Sequence, residues 1–196
     1  MYLIYSQTKT PTRSNWRTFK RREYIPIVQN LLWQIDSGMV RAITVHQDGS
    51  VSTLGLWSDG DIVGYPLAEI DSYQLECLSD VQIHRVSTDD CWLLNQILLS
   101  HVHQSQALLK IRHGLMEDRL KQFLIWLADR FGEPNHHGCY IRHSLIHQDI
   151  SETIDSTRVT VSRLIGKFEQ QGTIRWSKRS CLLYYNSEQQ FALTLP

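Results

Sequence analysis

The hydrophobic period of this chain changes once, at Ser87-Thr88-Asp89-Asp90, and that change limits what it can fold into. Before it, short apolar runs alternate with turn signals. Residues 31–35 end at Asp36-Ser37-Gly38, and residues 39–45 end at Asp48-Gly49, a tight-turn pair between β-rich segments. Residues 51–57 run into Ser58-Asp59-Gly60-Asp61, and further runs follow at 62–63, 73–78 and 81–86. Several short strands at this spacing predict a sandwich or barrel of jelly-roll type. After the change the spacing is helical. Thr88 or Asp89 is placed to cap a long helix reaching about Arg112, and a second helix covers 115–131 with Leu120, Phe123, Leu124 and Leu127 on its apolar face. Gly132-Glu133-Pro134 reads as its terminator, Asn135-His136-His137-Gly138 as a loop, and this region as the domain junction.

The long helix has two possible seams for a second copy. One heptad phase puts Leu94, His101 and Leu108 together, with Ile97, Gln104 and Ile111 as partners; the other uses Leu98 and Ser105. A third reading packs the helix only on its own β-domain.

The stretch 146–168 carries the functional signal. Ile150 and Ile154 form an apolar pair on a helix of two turns, Asp155-Ser156 breaks it, and Ser156 or Thr157 caps the next helix. Val161, Leu164, Ile165 and Phe168 bury one face of that second helix. Arg158, Val159, Ser162 and Arg163 are left projecting from its first half. Two short helices with exposed arginines at the front of the second fit a DNA-reading helix-turn-helix, since a guanidinium fork donates two hydrogen bonds to guanine O6 and N7. Residues 171–176 and 182–185 read as strands of a wing with Lys178 and Arg179 at its tip, near phosphates.

Charge agrees with this division. The chain has 20 basic and 20 acidic residues, but 43–109 hold one basic residue, Arg85, against nine acids, while the basic residues gather in the flanking segments. No apolar run approaches the 18 residues that a membrane span requires. The start is too short for a secretory core, and four cysteines without CxxC spacing fit reduced thiols, so a cytoplasmic protein without membrane contact is expected.

Ser156-Thr-Arg-Val-Thr-Val-Ser-Arg-Leu-Ile-Gly166 resembles the recognition helix of the cyclic-AMP receptor protein and fumarate–nitrate regulator (Crp/Fnr) family, most closely its nitrogen-control branch. Asp118-Arg-Leu, Phe123-Leu and Ala128-Asp-Arg-Phe-Gly132 resemble the helix leading into that family's DNA domain, and segments of 32–64 resemble its sensor β-roll. The resemblance spans about residues 25–185.

It implies an α+β chain with a shortened cyclic-nucleotide-binding-like β-roll (1–90), a dimerisation helix (91–113) and a winged helix-turn-helix domain (114–196). It implies a non-enzymatic transcription regulator acting as a homodimer on palindromic double-stranded DNA and contacting RNA polymerase. The DNA-binding set becomes His147, Gln148, Ser156, Thr157, Arg158, Val159, Thr160, Ser162, Arg163, Lys178 and Arg179. The dimer interface becomes Leu94, Ile97, Leu98, His101, Ser105 and Leu108. Val159 replaces a glutamate of the cyclic-AMP branch, favouring a thymine methyl over cytosine and half-sites nearer the GTA of the nitrogen branch. Family sensors hold a phosphate with an arginine–serine pair, whereas residues 64–84 here contain no basic residue, and Ser100 stands where the nitrogen branch uses an arginine for 2-oxoglutarate. No cofactor or metal is therefore expected and the effector is open. His101 and His103 diverge on a helix. The rival readings are a cupin-type metal-dependent enzyme, for which His46 and His84 stand isolated, and an effector-sensing adaptor with a vestigial helix-turn-helix.

Overall fold

The computed structural model describes residues 16–68, 70–86, 91–142, 145–178 and 180–184. Eight strands come first: β1 (Trp16–Phe19), β2 (Tyr24–Ile25), β3 (Leu32–Ser37), β4 (Val40–Val45), β5 (Val51–Trp57), β6 (Ile62–Val63), β7 (Tyr73–Cys77) and β8 (Val81–Val86). They form two antiparallel sheets, ordered β1-β8-β3-β6 and β2-β7-β4-β5. Alternating side chains of both sheets meet in one core around Trp33, Ile35, Leu75 and Ile83. The β4–β5 hairpin turns where the sequence predicts: Gly49 takes φ 80°, open to glycine at little cost, and Asp48 Oδ1 accepts from Ser50 N at 2.9 Å. The first two strands carry no clear alternation and were not expected.

α1 (Cys91–Ile111) lies along the β-domain, and α2 (Met116–Phe131) follows at once. The expected cap at Thr88 or Asp89 lies outside the described residues. α1 settles its facing by what it buries. Ile97 packs with Leu32 and Ile62, partly buried Leu94 joins them, and Gln104 donates Nε2 to the Leu56 carbonyl. His101 stacks on Trp57 with ring centroids 4.1 Å apart, and its Nε2 lies 2.9 Å from the Ile62 carbonyl oxygen. Leu108 and Ile111 are buried as well. Of the six residues expected at a seam, Leu94, Ile97 and His101 therefore pack on the chain's own β-domain and Leu108 is buried in the same phase, while Leu98 and Ser105 are exposed. The stripe left exposed is the other phase, Leu98, Val102, Ser105 and Leu109.

The region expected to be a loop and a junction is a hairpin inside the C-terminal unit. β9 (Gly132–Asn135) and β10 (Gly138–Ile141) pair across His136-His137, with Asn135 Oδ1 accepting from the backbone N of both His137 and Gly138. Pro134 is accommodated because β9 is an edge strand. Gly138 is required where β10 meets β12 (Cys181–Tyr184): a Cβ would lie 1.8 Å from the Leu183 carbonyl oxygen. With β11 (Ile174–Trp176) these strands form one antiparallel sheet, ordered β11-β12-β10-β9, beside α2, α3 (His147–Thr153) and α4 (Arg158–Gln170). Their core includes Phe123, Leu127, Ile150, Val161 and Phe168, and extends to Met39, Leu56 and Leu78 of the β-domain.

Candidate nucleic-acid interface

α3 and α4 form the helix pair that the sequence predicts. Asp149 Oδ2 accepts from Ile146 N at 3.1 Å, satisfying one donor at the start of α3. Between the helices Asp155 adopts φ 57°, a left-handed turn that aspartate tolerates better than most side chains. Thr157 then caps α4, its Oγ1 accepting from Thr160 N at 3.2 Å.

The buried face of α4 is Val161, Leu164, Ile165 and Phe168, as the period requires. Its opposite face leaves Arg158 and Arg163 exposed, neither in an ion pair among the described residues, and Val159 is 78% exposed, an unusual position for an apolar side chain. Ser156, Thr160 and Ser162 are half-buried beside them. Arg158 and Thr157 also line a cleft of about 1340 Å³ shared with the tip of the β4–β5 hairpin.

His147 opens α3 and touches α4: its Nδ1 lies 2.7 Å from Ser162 Oγ, and its ring is tilted against Trp176 with centroids 5.7 Å apart. Burial, and then the Arg158 charge, hold its imidazole below the usual value, with Glu169 opposing. Gln148 is exposed and donates to Glu152 Oε1 at 2.7 Å. At the wing, Ser177 and Ser180 close the turn through a 2.9 Å backbone bond, leaving Lys178 exposed, while Arg179 lies outside the described residues. Arg175 on β11 is a further exposed cation that the sequence reading passed over. The structure thus gathers His147, Gln148, Ser156 to Thr160, Ser162 and Arg163 on one helix pair, with Lys178 on the adjoining wing.

Other cations contact α3 from outside the helix pair, which the sequence reading missed. Arg22 and Arg41 of the β-domain bond Asp149 and Glu152, while Arg112 donates Nε to the Thr153 carbonyl at 2.9 Å and Nη2 to that of Thr53. The available signal was Asp149 and Glu152, two carboxylates on a short helix with no nearby sequence partner of opposite charge. Glu76 shares these cations; burial alone would raise its carboxyl, but the Arg22 and Arg41 guanidiniums hold it below the ordinary carboxylate range.

Of the histidines considered for metal, His84 Nδ1 lies 2.8 Å from Asp36 Oδ2 and His46 Nε2 lies 2.8 Å from Ser52 Oγ. Among the described residues, no group of three His, Cys, Asp or Glu is placed to hold a metal ion, and no helix is long and apolar enough to cross a membrane.

An antiparallel β-roll, a long helix and a winged helix pair with an exposed basic reading face define a DNA-binding transcription regulator. Comparison with known proteins agrees. The Crp-like helix-turn-helix domain matches residues 118–185. The chain is 39% identical to the regulatory protein CysR of Synechococcus elongatus over 169 residues, covering 84% of this chain and 82% of that one. It is 27% identical to the global nitrogen regulator of the same organism, over 75% and 74% of the two chains. A CRP-family transcriptional regulator from Thermus thermophilus shares the fold with a TM-score of 0.71 at 23% identity, over 86% and 91% of the chains. The chain belongs to the Crp/Fnr family of transcription regulators.

Proposed function

We propose that this regulator binds palindromic DNA as a homodimer, with α4 of each copy in successive major grooves and Arg158 and Arg163 reading guanines. The exposure of the front of α4, an apolar Val159 included, carries this reading, because a monomer gains nothing by presenting that residue to water. Val159 packs on a thymine methyl, His147 and Gln148 approach phosphates from the first helix, Ser156, Thr157, Thr160 and Ser162 fill the gap between backbone and bases, and Lys178 and Arg179 hold the flanking strand. Partners meet along the exposed stripe Leu98, Val102, Ser105 and Leu109 of α1, two of which, Leu98 and Ser105, belonged to the expected set. Contact with RNA polymerase and a cytoplasmic location belong to the same reading.

The sensor does not take a cyclic nucleotide. The cavity of about 220 Å³ between the β-roll and α1, lined by Ala42, Leu54, Trp57, Tyr73, His101 and Ser105 among others, has no lysine or arginine among the described residues of its wall to meet a phosphate. The cupin alternative finds no support in His84 and His46, which are engaged singly with Asp36 and Ser52.

The test is selection from randomised duplexes with purified protein, first without added metabolite and then with candidates. A GT-containing palindrome is expected; recovery of none overturns the proposal.

A further inference from the structure

The first helix of the DNA-reading pair is gripped by side chains 100 or more residues away in sequence. Arg22 donates Nη1 to Glu76 Oε1 at 2.7 Å and a fork, Nη1 and Nη2, to the two oxygens of Asp149 at 2.9 Å each. Arg41 on β4 holds Glu76 Oε2 through Nε at 3.1 Å and Nη2 at 2.6 Å, and its Nη1 meets Glu152 Oε2 at 2.5 Å. The side chains of Arg41, Glu76 and Asp149 are only 5%, 6% and 2% exposed. Two cations and three carboxylates therefore form one largely dry cluster across the boundary between the β-domain and α3.

Adhesion alone does not explain it. Buried ion pairs add little net stability over apolar side chains of the same volume, and apolar packing already crosses this boundary through Met39, Leu56 and Leu78. What forked guanidinium–carboxylate pairs add is direction, because the planar fork accepts a carboxylate in one orientation. The backbone points the same way: Arg22 sits at φ 70°, a left-handed conformation that disfavours a long side chain and persists where the surroundings fix it. Nor does the grip hide the reading face, since Arg158, Val159, Arg163 and Lys178 all stay exposed while it is closed.

We propose that Arg22 and Arg41 are positioning residues for DNA reading, locking the winged helix-turn-helix to the β-domain of its own chain at one angle. In a dimer joined through α1, that angle sets the separation of the two α4 helices and hence the half-site spacing accepted. This rests on the dimer reading above. Each inserted base pair moves a half-site about 3.4 Å along the duplex and turns it about 35°, so a rigid mount rejects it and a loose one does not.

The experiment uses full-length protein, the palindrome selected by wild type, versions with the spacer changed by one or two base pairs, and a single half-site. Wild type discriminates sharply among spacers. Arg22→Gln/Arg41→Gln is expected to lose about 5- to 150-fold of that discrimination, the usual range of coupling between two sites, while half-site affinity stays within about twofold. Arg41→Lys, which keeps the charge without the fork, is expected to fail likewise. Glu152→Gln, at the more open edge of the cluster, gives a smaller loss and keeps the test available should the double variant not fold. Unchanged spacer preference in any of these folded variants overturns the proposal, as does a parallel loss of half-site binding. A wild type indifferent to spacing defeats the dimer reading, and this proposal with it.

Discussion

Leu109→Ala separates the two stripes of α1. Leu109 is 71% exposed, and with Leu98 (54%), Val102 (49%) and Ser105 it repeats at alternating steps of four and three, the spacing of a helix–helix seam. Removing three carbons from a side chain with that share of its surface open to a partner forfeits about 1.5 kcal/mol of burial per copy, at about 0.8 kcal/mol per carbon. Both copies lose it, so the dimer weakens by about 3 kcal/mol, on the order of 100-fold in the dissociation constant. Dilution series by sedimentation or mass photometry read that constant directly. The protomer itself should change by no more than about 0.5 kcal/mol, because an exposed position contributes little to folding. Leu108, one residue earlier and 3% exposed, gives the control. Leu108→Ala is expected to cost about 2–5 kcal/mol of folding stability with association of the folded fraction unchanged. Unaltered association in Leu109→Ala, or weaker association from Leu108→Ala without loss of fold, refutes this assignment of faces.

Arg158→Ala and Arg163→Ala are each expected to cost about 1–3 kcal/mol of binding and relax preference at one base pair, while Lys178→Ala weakens all sequences alike and lowers the salt slope by about one; competition binding across a salt series tells them apart. Stability should fall in mild acid through His101. Its burial lowers the imidazole below the usual value, the Ile62 carbonyl and Asp61 oppose, and Arg130 adds to the lowering. With the folded value below the unfolded one near 6.5, the unfolded chain binds more protons, so this contribution is complete above about pH 6.5 and is lost as pH falls below it toward the folded value. Urea unfolding between about pH 7.5 and 5.5 should show the decline, and His101→Gln should flatten it.

Strands β3 to β8 were legible because each is a short apolar-rich run bounded by turn residues, and the helix pair because its caps and buried positions are local. β1 and β2 were not, since Trp16–Phe19 is mostly exposed and earns its pairing only from β8, a partner over sixty residues away. β9 was hidden by Pro134, which argues against a strand unless the edge position is known. The facing of α1 stayed open in the sequence for a different reason. Both phases hold apolar residues, and the choice was made by Trp57 and the Leu56 and Ile62 carbonyls, which offer His101 and Gln104 partners that no helical period reveals. On α4 the positions of Arg158 and Arg163 needed no tertiary information, because the four buried residues leave them nowhere else to point.

The arginines explain how a chain of zero net charge can serve a polyanion. Arg22, Arg41, Arg112, Arg119 and Arg130 all bond across boundaries between elements: Arg119 reaches the Ile154 and Asp155 carbonyls, and Arg130 grips Asp61 while lying 5.6 Å from the Trp57 ring centroid. Arg142 and Lys167 are paired with Glu133 and Glu117. These cations hold the DNA-reading unit together and to its mount, and their charges are largely answered by carboxylates and carbonyls. What remains outside ion pairs on α4 and the wing, among the described residues, is Arg158, Arg163, Arg175 and Lys178. An acidic residue count spread through the rest of the chain does not weaken that set, since at physiological salt charges more than about 8 Å away are screened. The field that a phosphate meets at the recognition helix and the wing is therefore set by these four cations, which the fold leaves outside ion pairs there.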